Sequence, residues 1–410
     1  MGLIAKRLST IKPSPTLAVS TRAAELRAAG MDIIDLSVGE PDFDSPDTAK
    51  NAAIAAIQHG ETRYTAVDGT KALKTAIQQK FKQDNHLSYE LNQITVGTGA
   101  KQVLYNAMLA SLDAGDEVII PAPYWVSYPD IVTLCEGTPV IVTCSAEQHF
   151  KLLPAQLEAA ITPRTKWFIL NSPSNPTGAA YTEAELRALA DVLLRHPQVY
   201  ILVDDIYEKI LYDGLPFQTL AQVEPKLFDR TLVLNGVSKS HAMTGWRIGY
   251  AGGPAPLIKA MAVLQSQSTS NPSSISQAAA RGALEGDNSF LAGWIQSFQE
   301  RRDMVVALLN QIPGIRCPKP EGAFYVFPSC TGLFGKYTPK GKCLETSTDV
   351  ATFLLEEAQV SAVPGIAFGL EGHFRISYAT SSATLAEACK RIATACGQLQ
   401  NHVAKELCHH

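Results

Sequence analysis

No stretch of the 410-residue chain approaches the roughly 18 consecutive apolar residues that a spanning helix needs, which excludes a helical membrane protein. Charge is sparse and nearly balanced. Asp, Glu, Lys and Arg make up 18% of the residues, and 35 Lys+Arg against 39 Asp+Glu leave a formal net charge of -4. Without a basic excess, neither nucleic acid nor an anionic membrane is expected as a partner. Internal repeats and low-complexity tracts are missing too, so solenoids and biased linkers are set aside. Eight cysteines stand at 135, 144, 317, 330, 343, 389, 396 and 408. They form no CxxC and no spacing that would suit a metal, so no zinc site is expected; reduced thiols in a cytoplasmic protein are. The opening MGLIAKRLSTIKPSPT interrupts any apolar leader with charges, which predicts no secretory signal.

What is present is an ordinary globular composition, 46% hydrophobic and 8% aromatic. The length suits two to three domains at about 150 residues each. From residue 94 short apolar runs alternate with segments of helical period: ITVGT (94–98), EVIIP (117–121), PVIVT (139–143), KWFILN (166–171), VYILVDD (199–205) and TLVLN (231–235). Such runs between helices predict an α/β fold whose mainly parallel sheet is covered on both faces. In the segment 182–195, Thr182 and Glu185 have capping-box spacing, and Leu186, Leu189, Ala190, Leu193 and Leu194 form one apolar stripe. Beyond residue 290 the texture changes to a long polar helix, then EGAFYVFP, a second helix and FRISYA, which reads as a smaller α+β domain. The predicted division is a large domain over 45–295 and a small one combining 1–44 with 296–410.

Five short motifs carry chemistry. VGTGAKQ follows a strand and opens a helix, but Gln102 takes the place of the third glycine of a dinucleotide fingerprint. It is either a plain tight turn or an anion cradle, with Gly99 letting backbone amides approach a ligand at the helix N-terminus. NSPSNPTG (171–178) holds Asn175 in a rigid turn at the carboxyl end of a strand, serving structure or a ligand. VDDIYE places Asp204 and Tyr207 at the end of the next strand, where a carboxylate needs a cationic partner; Asp205 is expected to cap a following helix. In NGVSKSHAMTGWRIGY, Lys239 lies just past a strand, between serines and eight residues before Arg247, with no carboxylate near it in sequence. A buried, unpaired ammonium has a lowered pKa, which prepares a lysine for Schiff-base chemistry. Arg375, in HFRISYA, is either a structural ion pair or a planar clamp for a carboxylate ligand. A nucleophilic lysine, an acid for a ring nitrogen, a tyrosine and an asparagine for a ring oxygen, and a helix N-terminus for a phosphate are the parts a pyridoxal phosphate site requires.

These motifs, with KPSPT, VGEPDFDSP, RYTAVDG, PAPYWVSYP and EGAFYVFP, run in order along almost the whole chain. The chain thereby resembles the fold type I, class I pyridoxal-phosphate aminotransferases, most nearly the bacterial aspartate/prephenate group. The resemblance implies a seven-stranded-type sheet and a homodimer whose active site is shared between subunits. By the same likeness Lys239 bonds the cofactor, Asp204 pairs with its ring nitrogen, Tyr207 and Asn175 reach the ring oxygen, and Trp125 stacks on the ring. Gly99, Ala100, Ser238 and Arg247 would hold the phosphate, with Tyr64 contributed by the partner subunit; Arg375 would clamp the substrate α-carboxylate beside Gly39. Gly236 departs from the pattern, because some members carry a hydroxyl residue there. For an acidic substrate a second cation is needed, and Lys101 and Lys12 are the candidates. Lys101 could equally serve only the helix terminus, and Lys12 could be solvated. The implied reaction exchanges an amino group between aspartate or glutamate and 2-oxo acids, with prephenate as a further acceptor. Aromatic or alanine aminotransferases and carbon–sulfur lyases are the alternatives on the same scaffold. A cofactor-binding regulator is disfavoured by the lack of spare length and of a basic patch.

Overall fold

Seven apolar segments build the central sheet of the computed structural model, which describes residues 3–11 and 15–401. The strands are β1 (Ile94–Thr98), β2 (Glu117–Ala122), β3 (Thr138–Thr143), β4 (Thr165–Asn171), β5 (Tyr200–Asp204), β6 (Thr231–Gly236) and β7 (Ile248–Gly252), in the spatial order β1-β7-β6-β5-β4-β2-β3. The first six match the apolar runs of the sequence. The seventh has no such run, because two glycines and a tyrosine in IGYAG hide its pattern. It runs antiparallel to β6 and β1, while the other pairs are parallel. The glycines have a reason: a Cβ on Gly249 would lie 2.1 Å from the backbone nitrogen of Ala100, so only glycine lets β7 pass the helix start there.

Helices that matter for the site are α1 (Pro15–Ala28), α2 (Ala100–Ser111), α3 (Ser127–Leu134), α4 (Glu183–Arg195), α5 (Phe290–Leu309) and α6 (Ser382–Gly397). Alternate strand residues feed two cores. Ile119, Phe168, Ile201 and Val233 pack with Leu186, Leu189 and Leu193 of α4 on one face. Val118, Trp167, Leu202 and Leu232 pack with Val103 and Leu104 of α2 on the other. Burial on both faces is why these strands are nearly all apolar. Helix α4 begins as its sequence predicts: Glu185 N–H donates to Thr182 Oγ1 at 3.3 Å, and Thr182 N–H donates to the Glu185 carboxylate at 2.7 Å. Its stripe differs by one residue, since Val192 is buried and Leu194 only partly so.

A third core joins α5 and α6 through Phe298, Phe324, Phe374, Ile376, Leu385 and Ile392. It also takes in Leu36 near the N-terminus and Ile206, Tyr207, Ile210 and Tyr212 from the segment after β5. Two small sheets frame it: Ile34–Asp35 pairs parallel with Val360–Ser361, and Phe374–Ser377 lies between Val363–Pro364 and Tyr325–Val326. The seven described cysteines are free, and six are buried. Burial pushes the thiols of Cys135 and Cys389 up to about 11 and that of Cys144 to about 12, which keeps them protonated and unreactive. Among the described residues no helix is long and apolar enough to cross a membrane.

Candidate active site

The carboxyl ends of β4, β5 and β6 open onto a cavity of about 460 Å³, the location at which parallel sheets present ligand sites. Asn171, Asp204 and Leu234 reach it from the three strand ends, Ala100 and Lys101 from the start of α2, and Tyr325 and Arg375 from the third core.

Lys239 follows β6 by three residues and sits deep in the cavity, where its Nζ donates to the Gly39 carbonyl at 2.5 Å. Burial lowers its pKa to about 8; Arg375 and Arg247 act in the same direction, while Glu40 and Asp204 oppose it. No carboxylate neighbours this lysine in sequence. Folding brings in Glu40 from a segment about 200 residues earlier and Asp204 from the adjoining strand end, yet neither ion-pairs with it. Desolvation wins.

Asp204, the last residue of β5, is buried, and burial raises its carboxyl to about 6. The Tyr128 hydroxyl donates to Oδ2 at 2.6 Å, the Ile206 amide donates to Oδ1 at 3.3 Å, and both pull the value down, as does the charge of Lys239. The neighbouring Asp205 does not cap a helix. It is buried with Oδ2 unpartnered, no helix begins at the turn that follows, and burial pushes its carboxyl well above the carboxylate range. A strand end that turns directly into the third core leaves no helix for it to cap.

Arg375 lies buried on its strand, over the rings of Tyr325 (4.6 Å) and Phe368 (5.1 Å). It donates to Asn175 Oδ1 at 2.9 Å and to the Ser37 carbonyl at 2.5 Å, while its Nε has no partner. Among the described residues no carboxylate neutralises it, which removes the structural ion pair from the two readings the sequence left open. Asn175 is fixed in turn by its own amide, which donates to Asn171 Oδ1 at 2.8 Å. Tyr207 shares a hydrogen bond of 2.8 Å with the hydroxyl of Tyr325, and a Cβ on Gly39 would come within 2.6 Å of that same hydroxyl.

At the other end, Gly99 caps α2 at φ 83° and faces the Arg247 guanidinium so closely that a Cβ would lie 2.2 Å from Nη2. The amides at the start of α2, that guanidinium and the buried Ser238 together make an electropositive corner. Gly236 sits at the end of β6, where a Cβ would meet Ile206 and the Ile248 carbonyl at 3.1 Å, so a hydroxyl residue has little room. Lys101 holds its ammonium 4.8 Å over the Trp125 ring, and burial, with the charge of Arg247, keeps it below the usual lysine value.

Eleven of the residues singled out in the sequence line one cavity: Gly39, Ala100, Lys101, Trp125, Asn175, Asp204, Tyr207, Ser238, Lys239, Arg247 and Arg375. Tyr64 does not; it is 90% exposed on the surface. Lys12 lies outside the described residues. Sequence reasoning missed Glu40, Tyr128 and Tyr325. Tyr128 did carry a signal, standing one helical turn from Trp125 in PAPYWVSYP.

Residues 31–392 match the family described as aminotransferase class I and II. An aspartate/prephenate aminotransferase of Cereibacter sphaeroides is 59% identical over 399 residues, covering 97% of this chain and 100% of that protein. The crystal structure of the aspartate aminotransferase of Rhizobium meliloti superposes with a TM-score of 0.95 at 60% identity, over 98% of this chain and 100% of that one. The Thermus thermophilus aspartate aminotransferase, solved with maleate, gives a TM-score of 0.90 at 41% identity, over 96% of this chain and 100% of the other.

Proposed function

The chain belongs to the class I and II aminotransferases, and on that premise we propose that it moves the amino group of aspartate or glutamate to 2-oxo acids, prephenate among them. Enzymes of this family depend on pyridoxal phosphate. That cofactor, when bound, supplies an aldehyde that takes up the amine and a protonated ring that withdraws electrons from the carbon next to it.

The cavity residues fit such a group. A lysine of lowered pKa stands beside a buried acid, and an electropositive corner suits a phosphate. Lys239 would be the bonding amine. Asp204 would hold a proton at the ring nitrogen, as a carboxylate buried without a salt-bridge partner is suited to do. Trp125 would cover one ring face, and Tyr207 and Asn175 would orient the ring oxygen. Gly99, Ala100, Ser238 and Arg247 would seat the phosphate.

Arg375 binds the substrate α-carboxylate in this reading, and its uncompensated guanidinium, with an unpartnered Nε, is the single observation that carries the choice of substrate class. Lys239, once free, takes the proton from the substrate's Cα. Its value near 8 leaves a usable fraction as free base near neutral pH. Lys101 is the second cation for a side-chain carboxylate.

The relatives' names support aspartate and prephenate, and maleate in the Thermus complex is itself a dicarboxylate. A homodimer would bring the exposed Tyr64 to the partner's phosphate corner. We place the enzyme in the cytoplasm, where its amino and oxo acids would be available. A panel of aspartate, glutamate, phenylalanine and alanine against 2-oxoglutarate, oxaloacetate and prephenate tests the assignment. Aspartate and glutamate should lead; pyruvate released from cystathionine without an acceptor would indicate a lyase instead.

A further inference from the structure

We infer that Tyr128 is a positioning residue for this reaction: through its hydroxyl it holds the Asp204 carboxylate ionised and oriented toward the ring nitrogen of the cofactor. The inference rests on the reading of Asp204 given above. Tyr128 sits near the start of α3, buried, and its hydroxyl donates to Asp204 Oδ2 at 2.6 Å across 76 residues of sequence. Its backbone amide donates to the carbonyl of Trp125 at 3.0 Å, and the two rings meet edge to face at 5.3 Å. One turn of chain thus fixes both the ring that would stack on the cofactor and the donor that orients the carboxylate below it.

The chemistry requires such a donor. Asp204 gains no ion pair from the described residues, and burial favours its neutral acid form, which cannot hold a proton at the ring nitrogen. Of the groups around the carboxylate, Tyr128 and the Ile206 amide donate to it, and the more distant Lys239 adds charge. Burial disfavours the charged forms of Asp205 and Tyr207 on the same segment. Tyr128 makes the shorter of the two hydrogen bonds and comes from a different element, so it constrains where Asp204 points. The remaining lone pairs of Asp204 are left for the cavity that both residues line.

The test compares wild type, Tyr128→Phe, Asp204→Asn and the double variant. Single-turnover rate with aspartate is measured together with the pH dependence of pyridoxal phosphate uptake by the apoenzyme. A hydrogen bond to a charged group sets the scale, so Tyr128→Phe should slow the single turnover about ten- to a hundredfold. It should also move the acid limb of cofactor uptake upward by about one pH unit or more. In the Asp204→Asn background the same exchange should change the rate by less than about twofold, because its target is gone. Equal losses in both backgrounds, or an unshifted acid limb, would overturn the inference. Should Tyr128→Phe fail to fold, 3-fluorotyrosine at position 128 keeps the shape with a more acidic hydroxyl. It should then move the acid limb downward, and no movement counts against the inference. A wild-type level rate in Asp204→Asn alone would instead sink the reading of Asp204, and the two failures are distinguishable.

Discussion

Two buried arginines show how the same side chain is used in opposite ways. Arg302, on α5, is fully buried over the ring of Tyr212 at 4.6 Å and is saturated by carboxylates: Asp213 accepts from both terminal nitrogens at 2.8 and 3.0 Å, and Asp303 accepts from Nε at 2.9 Å. Burial works against its charge, but the two acids outweigh burial and raise its pKa. Arg375 is as deeply buried and stacks on Tyr325 at the same distance, yet among the described residues it finds only an amide oxygen and a carbonyl. Burial dominates and lowers its pKa, against the weaker opposing influence of the Tyr325 and Tyr207 hydroxyls. The lysines repeat the contrast. Lys80 is buried against Glu208 and donates to Asn85 at 2.6 Å, whereas Lys239 reaches only a carbonyl. Cations that the protein neutralises hold the fold; the two that it leaves unneutralised are those to which the proposed function assigns an anion and an electrophile from outside.

The largest test of that contrast is Arg375→Ala. It should lower kcat/KM for aspartate by about a hundredfold or more while leaving the thermal midpoint nearly unchanged or raised, since an uncompensated buried charge is removed. Its counterpart, Arg302→Met, should cost about 3 kcal/mol in denaturant unfolding with kinetics retained in the folded fraction. If the two variants exchanged phenotypes, the comparison would fail.

A pH titration sharpens it. In the folded chain Lys239 loses its proton near 8, against 10.5 as the ordinary value. The folded state therefore binds fewer protons between these points, and its stability rises with pH across that window. Below about 8 the full cost is present. The apoenzyme Lys239→Met should accordingly be more stable than the wild-type apoenzyme at pH 7 by about 3 kcal/mol, a gap that closes as pH climbs toward 10.5. A gap independent of pH would trace to packing instead. The smallest effect is expected for Lys101→Ala: KM for aspartate should rise about tenfold with alanine as donor unaffected, by the scale of a partly exposed charge contact. Equal losses for both donors would place Lys101 with the phosphate alone.

Much of this was readable in the sequence, and the gaps have physical reasons. Six strands announced themselves because burial on both faces demands unbroken apolar runs; β7 did not, because passing Ala100 demanded glycine at 249. Lys239 and Asp204 were legible from their places at strand ends. Whether Arg375 was paired could not be read, since its surroundings come from Ser37, Asn175 and Tyr325, all distant in sequence. Glu40 was hidden for the same reason, whereas Tyr128 was signalled by its place one helical turn from Trp125. Asp205 misled because an acid after a strand suggests a cap, and only the course of the chain into the third core shows that no helix follows.

The most direct measurement is reductive trapping. Borohydride treatment of the pyridoxal-phosphate-loaded protein, followed by peptide mapping, should place one stable cofactor label per chain on Lys239 and none on Lys80 or Lys101. A label on either of those lysines, or a residue 239 left unmodified while the visible absorbance disappears, would contradict the account.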